Sequence, residues 1–283
     1  MVQWQVFRQF SNSVTLETQQ GIFKLPLDTN DAISRHLYSR REFELEWTVD
    51  SLAFLRRKQL CPPKGQGTVL DIGANNGVIS IGMMVNGEFE KAIAIEPDPI
   101  NFSLLHGNVT ENDLGGSFIC LNFAASDEPS ELEFELSENN YGDHRVRSKQ
   151  LQSSSRELYN ESQRQVIKVP SDTIDNLLAG LEADCARRVS LVWIDVQGYE
   201  GYVFRGATDL LSRGIPVVSE IWPYAIERTG MSLEAYCRIA AGIWSKFCTE
   251  RRGKFAKHPI AELPTYVARL GRSVKHANVI YTN

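Results

Sequence analysis

Four carboxylates in this sequence each stand at the end of a short apolar run. They are Asp71, Glu96, Asp195 and Glu220. A carboxylate in such a position can accept hydrogen bonds from ribose hydroxyls, take a proton as a general base or help to seat a divalent cation. Because open α/β sheets bind ligands outside the carboxyl ends of their strands, this placement predicts a ligand site at that edge.

The residues around Asp71 predict a strand, a glycine turn and a helix. Residues 68–77 read T-V-L-D-I-G-A-N-N-G, and residues 78–85 are apolar with a helical character. Glycine lets the backbone approach a ligand, and a helix N-terminus offers free N–H groups. A dinucleotide turn reads G-x-G-x-x-G, whereas no glycine lies between Gly73 and Gly77. The turn therefore favours a nucleotide-like ligand without a pyrophosphate, although a tight turn of no function can show the same short pattern.

A second strand, predicted over residues 91–96, ends in Glu96. Nucleotide-binding α/β folds place at this point the carboxylate that binds the ribose, while the bland alternative is a surface acid at a strand end. Pro97 breaks the strand, and Asp98 is placed to cap the helix that follows.

Two later strands each carry an acid at the ligand edge. The apolar run 189–194 predicts a buried central strand that ends at Asp195, and Glu220 lies in the next strand, predicted over 215–222. Burying a carboxylate beside such strands costs free energy unless the carboxylate is paired or hydrogen-bonded. The pair is a candidate for a general base or for a metal seat, although no metal is indicated. The alternative is a structural, hydrogen-bonded Asp195 and a solvated Glu220.

The polar stretch 137–164 is too long for an ordinary loop and contains His144. Loops of this length inside a compact domain are usually functional or mobile. We interpret the stretch as a lid over the substrate, with His144 as a third candidate for the base. A surface insertion is the alternative.

The rest of the chain predicts one α/β domain with a lead-in. Residues 1–65 contain a β-hairpin pattern within 1–30 and a helix over 42–60, and they form an N-terminal extension. Residues 66–283 form the main domain, with a third strand at 117–125 and a closing strand at 277–281.

Composition excludes several classes of protein. The 283 residues are 42% hydrophobic and 23% charged, which is typical of a globular chain, and the net charge of −5 argues against nucleic acid as a partner. We expect no membrane span and no secretory signal. Five scattered cysteines without metal spacing indicate reduced thiols and a cytoplasmic protein.

Taken together, these motifs resemble the FkbM family of S-adenosylmethionine-dependent methyltransferases. The family patterns are V-x-D-V/I-G-A-N-x-G, E-P-x-P, A-x-S, T-L-D, K-I-D-V-E-G-x-E and L-x-G-A. The matching segments here are 69–77, 96–99, 124–126, 173–175, 194–200 and 204–207. The order of the whole set is far more specific than any one motif.

The resemblance implies a Rossmann-like class I methyltransferase fold of the α/β class. Its sheet would have seven mostly parallel strands, antiparallel last strands and helices on both faces. The resemblance also implies a cofactor site for S-adenosylmethionine, with S-adenosylhomocysteine as product. The implied binding residues are Asp71, Gly73, Ala74, Asn75 and Gly77 for the methionine end, Glu96 and Pro97 for the ribose, Ala125, Ser126 and Asp127 for the adenine edge, and Asp195.

Two residues depart from the family pattern. Trp193 replaces the usual Lys before I-D, and Gln197 replaces the usual Glu after D-V. We expect methylation of a hydroxyl on a saccharide or secondary metabolite, so the partner is a small molecule or glycan. Asp195 is the first candidate base, Glu220 the second and His144 the third. A catalytically silent binding protein and an NAD-dependent oxidoreductase remain as alternatives.

Overall fold

The structure is a computed structural model that describes residues 9–27, 31–138, 140–148 and 157–283. The strands are β1 Ser13–Thr18, β2 Gly21–Pro26, β3 Thr68–Ile72, β4 Lys91–Ile95, β5 Phe118–Leu121, β6 Ala124–Ala125, β7 Ser130–Leu136, β8 Arg145–Val146, β9 Gln165–Asp172, β10 Val189–Ile194, β11 Val217–Ile221, β12 Lys246–Arg251, β13 Lys254–Pro259 and β14 Ala277–Thr282. The helices are α1 Ala32–Arg40, α2 Leu45–Arg57, α3 Val78–Val85, α4 Pro99–Glu111, α5 Ile174–Ala179, α6 Ala183–Arg187, α7 Glu200–Arg205, α8 Thr208–Ser212, α9 Pro223–Arg228, α10 Leu233–Ile243 and α11 Leu263–Leu270. Short 3-10 helices cover Tyr141–Asp143, Glu161–Gln163 and Ile260–Glu262.

The main sheet has the strand order β13-β12-β14-β11-β10-β3-β4-β5. The five strands from β11 to β5 are parallel, and β14 lies antiparallel to both β11 and β12. Strands β3 and β11 are buried along their whole length, as their apolar sequences predict. The carboxyl ends of the parallel strands therefore meet at one edge, as expected.

The predicted count of seven strands is wrong, because this sheet has eight. The extra strand, β13, arises from the basic run 251–258, which turns back at Gly253 (φ 73°) and pairs antiparallel with β12. Its Phe255 ring stacks on Phe54 of α2 at a centroid distance of 4.6 Å. This apolar contact gives the charged strand a place to dock at the sheet's edge.

The third predicted strand, 117–125, divides into two. Its first part, β5, ends the main sheet, and its second part, β6, joins a separate sheet of order β6-β9-β7-β8. Between them, Asn122 Nδ2 donates hydrogen bonds to the carbonyl oxygens of Glu96 (2.8 Å) and Pro97 (3.1 Å). These bonds hold the chain against the end of β4 while it passes from one sheet to the other.

The N-terminal extension covers one face of the main sheet. The predicted hairpin is confirmed as β1-β2, and its amides at Ile22 and Lys24 donate to the side chains of Asn112 (2.8 Å) and Asn108 (2.8 Å) near the end of α4.

Among the described residues, no helix is both long and apolar enough to cross a bilayer.

The Trp193 departure has a packing explanation. Its buried ring meets the edge of Trp47 from α2 at a centroid distance of 5.2 Å and an interplanar angle of 85°. An edge-to-face aromatic pair is worth about 0.5–1.5 kcal/mol beyond the burial of its area. Trp193 therefore anchors the N-terminal helix to the central strand of the sheet.

Helix α7 ends at Arg205, and the chain packs closely at the next residue, Gly206. A methyl group at this glycine would lie 1.9 Å from the carbonyl oxygen of Ser126. We expect Gly206→Ala to lower the free energy of unfolding by about 2 kcal/mol or more, as overpacking does. Thermal or urea denaturation measures this loss.

Gly242→Ala is the matched control for that substitution. Gly242 lies near the end of α10, and a methyl group added there would meet no atom within 4 Å, so alanine should be neutral or slightly stabilising. Equal melting temperatures for the two variants would contradict the close contact at Gly206.

Candidate active site

A cavity of about 590 Å³ opens at the carboxyl edge of the parallel strands. It is lined by the ends of β3, β4, β10 and β11, by α1 and the residue before α2, by both described ends of the stretch 137–164, and by the loop before β14. Its volume is within the range of cavities that take a cofactor or small ligand. Three of the four predicted carboxylates, Glu96, Asp195 and Glu220, therefore meet in one cavity.

The glycine turn forms the floor of the cavity. A methyl group at Gly73 (φ 85°) would lie 1.9 Å from the carbonyl oxygen of Asp195, so only glycine fits where β3 passes β10. Asn75 adopts the left-handed conformation at φ 53°, and both residues line the cavity. Ala74 is buried, and Gly77 (φ 87°) begins helix α3; neither of them lines the cavity wall.

Asp71 lies beneath the turn rather than in the cavity wall. Its Oδ2 accepts a hydrogen bond of 2.5 Å from Ser80 Oγ in α3. Burial raises the pKa of Asp71 to about 7, the Ser80 bond lowers it, and the Asp195 charge raises it further. Asp71 thus ties the strand to the helix and supports the turn from behind.

Glu96 is held rigidly in the cavity wall by two backbone amides. Its Oε2 accepts from the Asn75 N–H at 2.8 Å, and its Oε1 accepts from the Asp98 N–H at 2.9 Å. The residue is only 4% exposed. Burial raises its pKa to about 8 against the lowering effect of these two bonds. Each oxygen keeps a further lone pair, so the carboxylate can still accept from two neighbouring hydroxyls.

Residues after β5 form the wall next to Glu96. Ala125 lines the cavity with its neighbours Phe123 and Ala124, and Pro97 also lines it. Ser126 and Asp127 lie behind this wall: Ser126 Oγ is 3.2 Å from the hydroxyl of Tyr199, which does reach the cavity. Asp127 forms an ion pair of 3.5 Å with Arg205. These two residues support the wall rather than line it.

Asp195 faces the cavity from the end of β10. Its Oδ1 accepts a hydrogen bond of 2.6 Å from Gln197 Nε2, so the second departure from the family pattern supplies a donor to this carboxylate. Asp195 is exposed to the cavity, and the protein that surrounds the cavity desolvates the carboxylate and so raises its pKa. The loop between β10 and α7 is closed by Glu200, because its Oε1 accepts hydrogen bonds from the amides of Val196 and Gly198, each at 3.2 Å.

Glu220 is a buried acid of the cavity wall, at 8% exposure. Its Oε2 has no hydrogen-bond partner in the described part of the chain, and its Oε1 lies 3.7 Å from His276 Nε2. Burial, followed by the charges of Asp195 and Glu200, raises its pKa well above the usual range. The described residues contain no group of three or more His, Cys, Asp or Glu side chains placed to hold a metal ion.

Sequence reasoning missed several residues of this wall, among them the ionisable Glu44 and His276. Glu44 (φ 51°) precedes α2, and burial raises its pKa to about 7, with a further contribution from Asp195. No strand or motif marks Glu44 in the sequence. His276 could have been found, because an antiparallel β14 must begin at the edge where β11 ends.

His144 lies in the wall on the 140–148 segment. Its Nδ1 accepts from the Ser137 N–H at 2.9 Å, and its ring packs against Tyr141 and Phe134. Burial, with a smaller effect of Arg164, lowers the pKa of His144 to about 4. The imidazole is therefore neutral and weakly basic at neutral pH.

A buried cluster of charges holds the described ends of the 137–164 stretch together. Arg145, 1% exposed, pairs with Asp143, and Arg164 pairs with Asp143 as well. The Arg145 guanidinium lies 4.8 Å from the ring centroid of Trp222 and 5.6 Å from that of Tyr159. Residues 139 and 149–156 of the predicted lid lie outside the described residues, so the lid remains a prediction.

These buried acids predict a stability that falls as the pH rises. Between the ordinary glutamate pKa of 4.5 and the value of about 8 in the fold, native Glu96 holds a proton that the unfolded chain has released. The free energy of unfolding therefore falls with increasing pH in this interval, by at most roughly 1.4 kcal/mol per pH unit and group. Asp71 and Glu200 act in the same direction up to about pH 7. His144 has the opposite effect on the free energy of unfolding, because its pKa is lowered in the fold. This effect is complete by about pH 6.5, the unperturbed pKa of histidine.

We expect the melting temperature of the unliganded protein to decrease from pH 6.5 to 8.5, and Glu96→Gln to flatten this slope because the amide cannot titrate. Differential scanning fluorimetry across this interval measures both. An unchanged slope in Glu96→Gln would show that Glu96 is already ionised in the fold.

Comparisons with known proteins identify the family of the chain. The family model described as the methyltransferase FkbM domain matches residues 71–243, more than half of the chain. No curated protein matches the chain significantly.

Among solved structures, the chain is similar to the FkbM methyltransferase of Methylobacillus flagellatus KT, at 14% identity and a TM-score of 0.45, over 80% of this chain and 46% of that one. It thus spans less than half of that protein's length. It is also similar to a precorrin-6y C5,15-methyltransferase from Geobacter metallireducens GS-15, at 10% identity and a TM-score of 0.43, over 84% and 89% of the two chains. A third similar structure is that of P. horikoshii TYW2 in complex with MeSAdo, at 12% identity and a TM-score of 0.40. The similarity covers 96% of this chain and 72% of that one. The domain match carries the assignment: the chain belongs to the FkbM methyltransferase family.

Proposed function

We propose that this methyltransferase uses S-adenosylmethionine to methylate a hydroxyl oxygen of a small molecule or glycan. The observation that carries the proposal is the Glu96 carboxylate, fixed in the cavity wall beside a turn where only glycine fits. A nucleoside with adjacent ribose hydroxyls matches this carboxylate, because its two oxygens can each accept one hydroxyl hydrogen.

The chain's own residues divide the cavity into a donor part and an acceptor part. Gly73 and Asn75 would hold the methionine end, Glu96 the ribose, and Phe123 with Ala125 the adenine. When bound, S-adenosylmethionine supplies a methyl group activated by a positively charged sulfur. Asp195 stands between this part and the acceptor wall. Its fixed position, set by Gln197, would help to align the two substrates, which is a major source of rate in a bimolecular transfer.

The acceptor wall combines aromatic rings with acids. Tyr159, Trp222 and Asn160 line it together with Glu220 and His276. Ring faces and edges provide apolar contact for the C–H face of a sugar or polyketide, while carboxylates accept hydrogen bonds from its hydroxyls. An acceptor with a phosphate or carboxylate would meet like charge here. We therefore favour a neutral saccharide or hydroxylated metabolite.

The three candidate bases of the sequence differ in their surroundings. Asp195 and Glu220 face the acceptor part, and burial raises the pKa of each carboxyl group, which makes it a stronger base than a free carboxylate. His144 has a lowered pKa of about 4, and its Nδ1 is occupied by a backbone amide. His144 is accordingly the weakest of the three. The NAD-dependent alternative lacks support in the turn, which has no middle glycine.

We expect labelled methyl transfer from S-adenosylmethionine to neutral glycosides, and little transfer to the corresponding uronic acids or sugar phosphates, because the acidic wall repels an anion. Scintillation counting of the separated products measures this selectivity. Products labelled on carboxylated or phosphorylated acceptors in preference to neutral ones would contradict the assignment of the wall. Binding without transfer to any acceptor would favour a catalytically silent binding protein.

A further inference from the structure

We infer that His276 is the general base for methyl transfer and that the buried Glu220 carboxylate orients it. The inference rests on the proposed transfer to a hydroxyl and deepens it, because it names the group that takes the proton. The family motifs contain no counterpart of His276, since the residue lies beyond the segments that carry them.

Strand topology brings His276 to the site. Strand β14 is antiparallel to β11, and its first residue, Ala277, pairs with Ile221, the last residue of β11. The residue before β14 therefore lies at the same edge as the acids after the parallel strands. The Trp222 Nε1–H donates a hydrogen bond of 3.0 Å to the carbonyl oxygen of Ser273, which holds the loop leading to His276.

Glu220 faces the His276 ring at an ion-pair distance, which is longer than a hydrogen bond and lets the carboxyl group orient the ring as the acceptor binds. His276 Nε2 lies 3.7 Å from Glu220 Oε1, and the ring centroid of His276 is 6.1 Å from that of Trp222. An imidazole whose Nε2–H points to a carboxylate keeps its Nδ1 lone pair available. Nδ1 of His276 has no hydrogen-bond partner in the described part of the chain, and the side chain is 56% exposed at the cavity.

His144 is the natural comparison, because it also has a carboxylate neighbour. Its Nε2 lies 3.9 Å from Asp98 Oδ2. Its Nδ1, however, already accepts a hydrogen bond from the Ser137 N–H, and the side chain is only 5% exposed. Both of its nitrogens are thus directed at the protein. His36, a third histidine of the wall, pairs through its Nε2 with Glu42 at 3.1 Å instead of with a buried acid.

Several ionisable side chains lie around His276. Glu220 faces it from β11 and Asp195 from the end of β10, while Lys275 is its neighbour in the loop. Behind Glu220 stand the acids Glu44 and Glu200 and the buried Arg145. An imidazolium formed at His276 would therefore lie next to more acidic than basic side chains.

The step balances as a simple displacement. The acceptor hydroxyl gives its proton to His276 Nδ1 while its oxygen forms the new bond to the methyl carbon. The bond between that carbon and sulfur breaks, and its electron pair stays on sulfur as a neutral thioether. The imidazolium then releases its proton to water, which reaches it at the open side of the cavity.

The test compares His276→Gln, Glu220→Gln and the control His106→Gln with the wild-type enzyme. His106 lies on the exposed side of α4, away from the cavity, so its variant should keep full activity. We expect His276→Gln to lower kcat about 100-fold, the usual effect of losing a general base, with binding of S-adenosylhomocysteine changed less than twofold. Added imidazole should restore part of the activity of His276→Ala.

Glu220→Gln should lower kcat less than His276→Gln does and should change the pH–rate profile, because the acid that faces the ring is lost. The NMR titration of the His276 ring proton in the unliganded protein, assigned with His276→Gln, should likewise differ between wild type and Glu220→Gln. Normal kcat in His276→Gln, or a loss confined to KM, overturns the inference. If no hydroxyl acceptor is methylated by the wild type, the proposed function fails instead, and the NMR titration alone decides whether His276 and Glu220 are coupled.

Discussion

The close contact between β3 and β10 is the constraint on which the rest of the site depends. At Gly73 there is no room for a side chain, because the Asp195 carbonyl oxygen occupies that space. The Asp195 amide in turn donates to the carbonyl oxygen of Ile72 at 3.0 Å, and the Gly73 amide donates to that of Ile95 at 2.9 Å. The ends of β3, β4 and β10 are thus hydrogen-bonded to one another. The glycine turn at Gly73 and the loop that begins at Asp195 therefore cannot move apart without breaking the sheet. Fixed separation of two substrate positions is what a transfer reaction needs.

The segment 140–148 forms the roof of the cavity, and polar contacts attach it to this rigid floor. The Tyr141 carbonyl oxygen accepts hydrogen bonds from Asn75 (3.0 Å) and Asn101 (3.3 Å), and the Tyr141 amide donates to Asp31 at 2.9 Å. The charges around Arg145 hold the same stretch from its other side. Buried pairs of this kind add little net stability, but the loss of one partner is costly because it leaves a buried charge uncompensated. They therefore specify where the roof sits more than they strengthen the fold.

Much of this architecture follows from local patterns in the sequence. Short apolar runs ended by an acid predicted the parallel strands and the edge where Glu96, Asp195 and Glu220 gather, and α3 has the predicted bounds. The Asp98 side chain caps α4 as expected, accepting from the Asn101 amide at 2.9 Å. These features need only a few neighbouring residues to be recognised, since each depends on the period of the strand or helix that contains it.

The remaining features depend on contacts between distant parts of the chain. The division of β5 from β6 depends on Asn122 reaching the end of β4, and β13 depends on a ring in α2. His276 reaches the acidic wall only because β14 runs antiparallel. Trp193 reads as a departure from a motif until Trp47 is seen against it. None of these partners is close in sequence, so local periodicity carries no signal for them.

Calorimetric titration of S-adenosylhomocysteine into the wild-type protein and into Glu96→Ala, with NAD as the comparison ligand, tests whether the cavity is the cofactor site. We expect one site for S-adenosylhomocysteine, at least tenfold weaker binding in Glu96→Ala because the ribose loses its acceptor, and no binding of NAD. Binding of NAD without S-adenosylhomocysteine, or equal affinity in the two proteins, would contradict it.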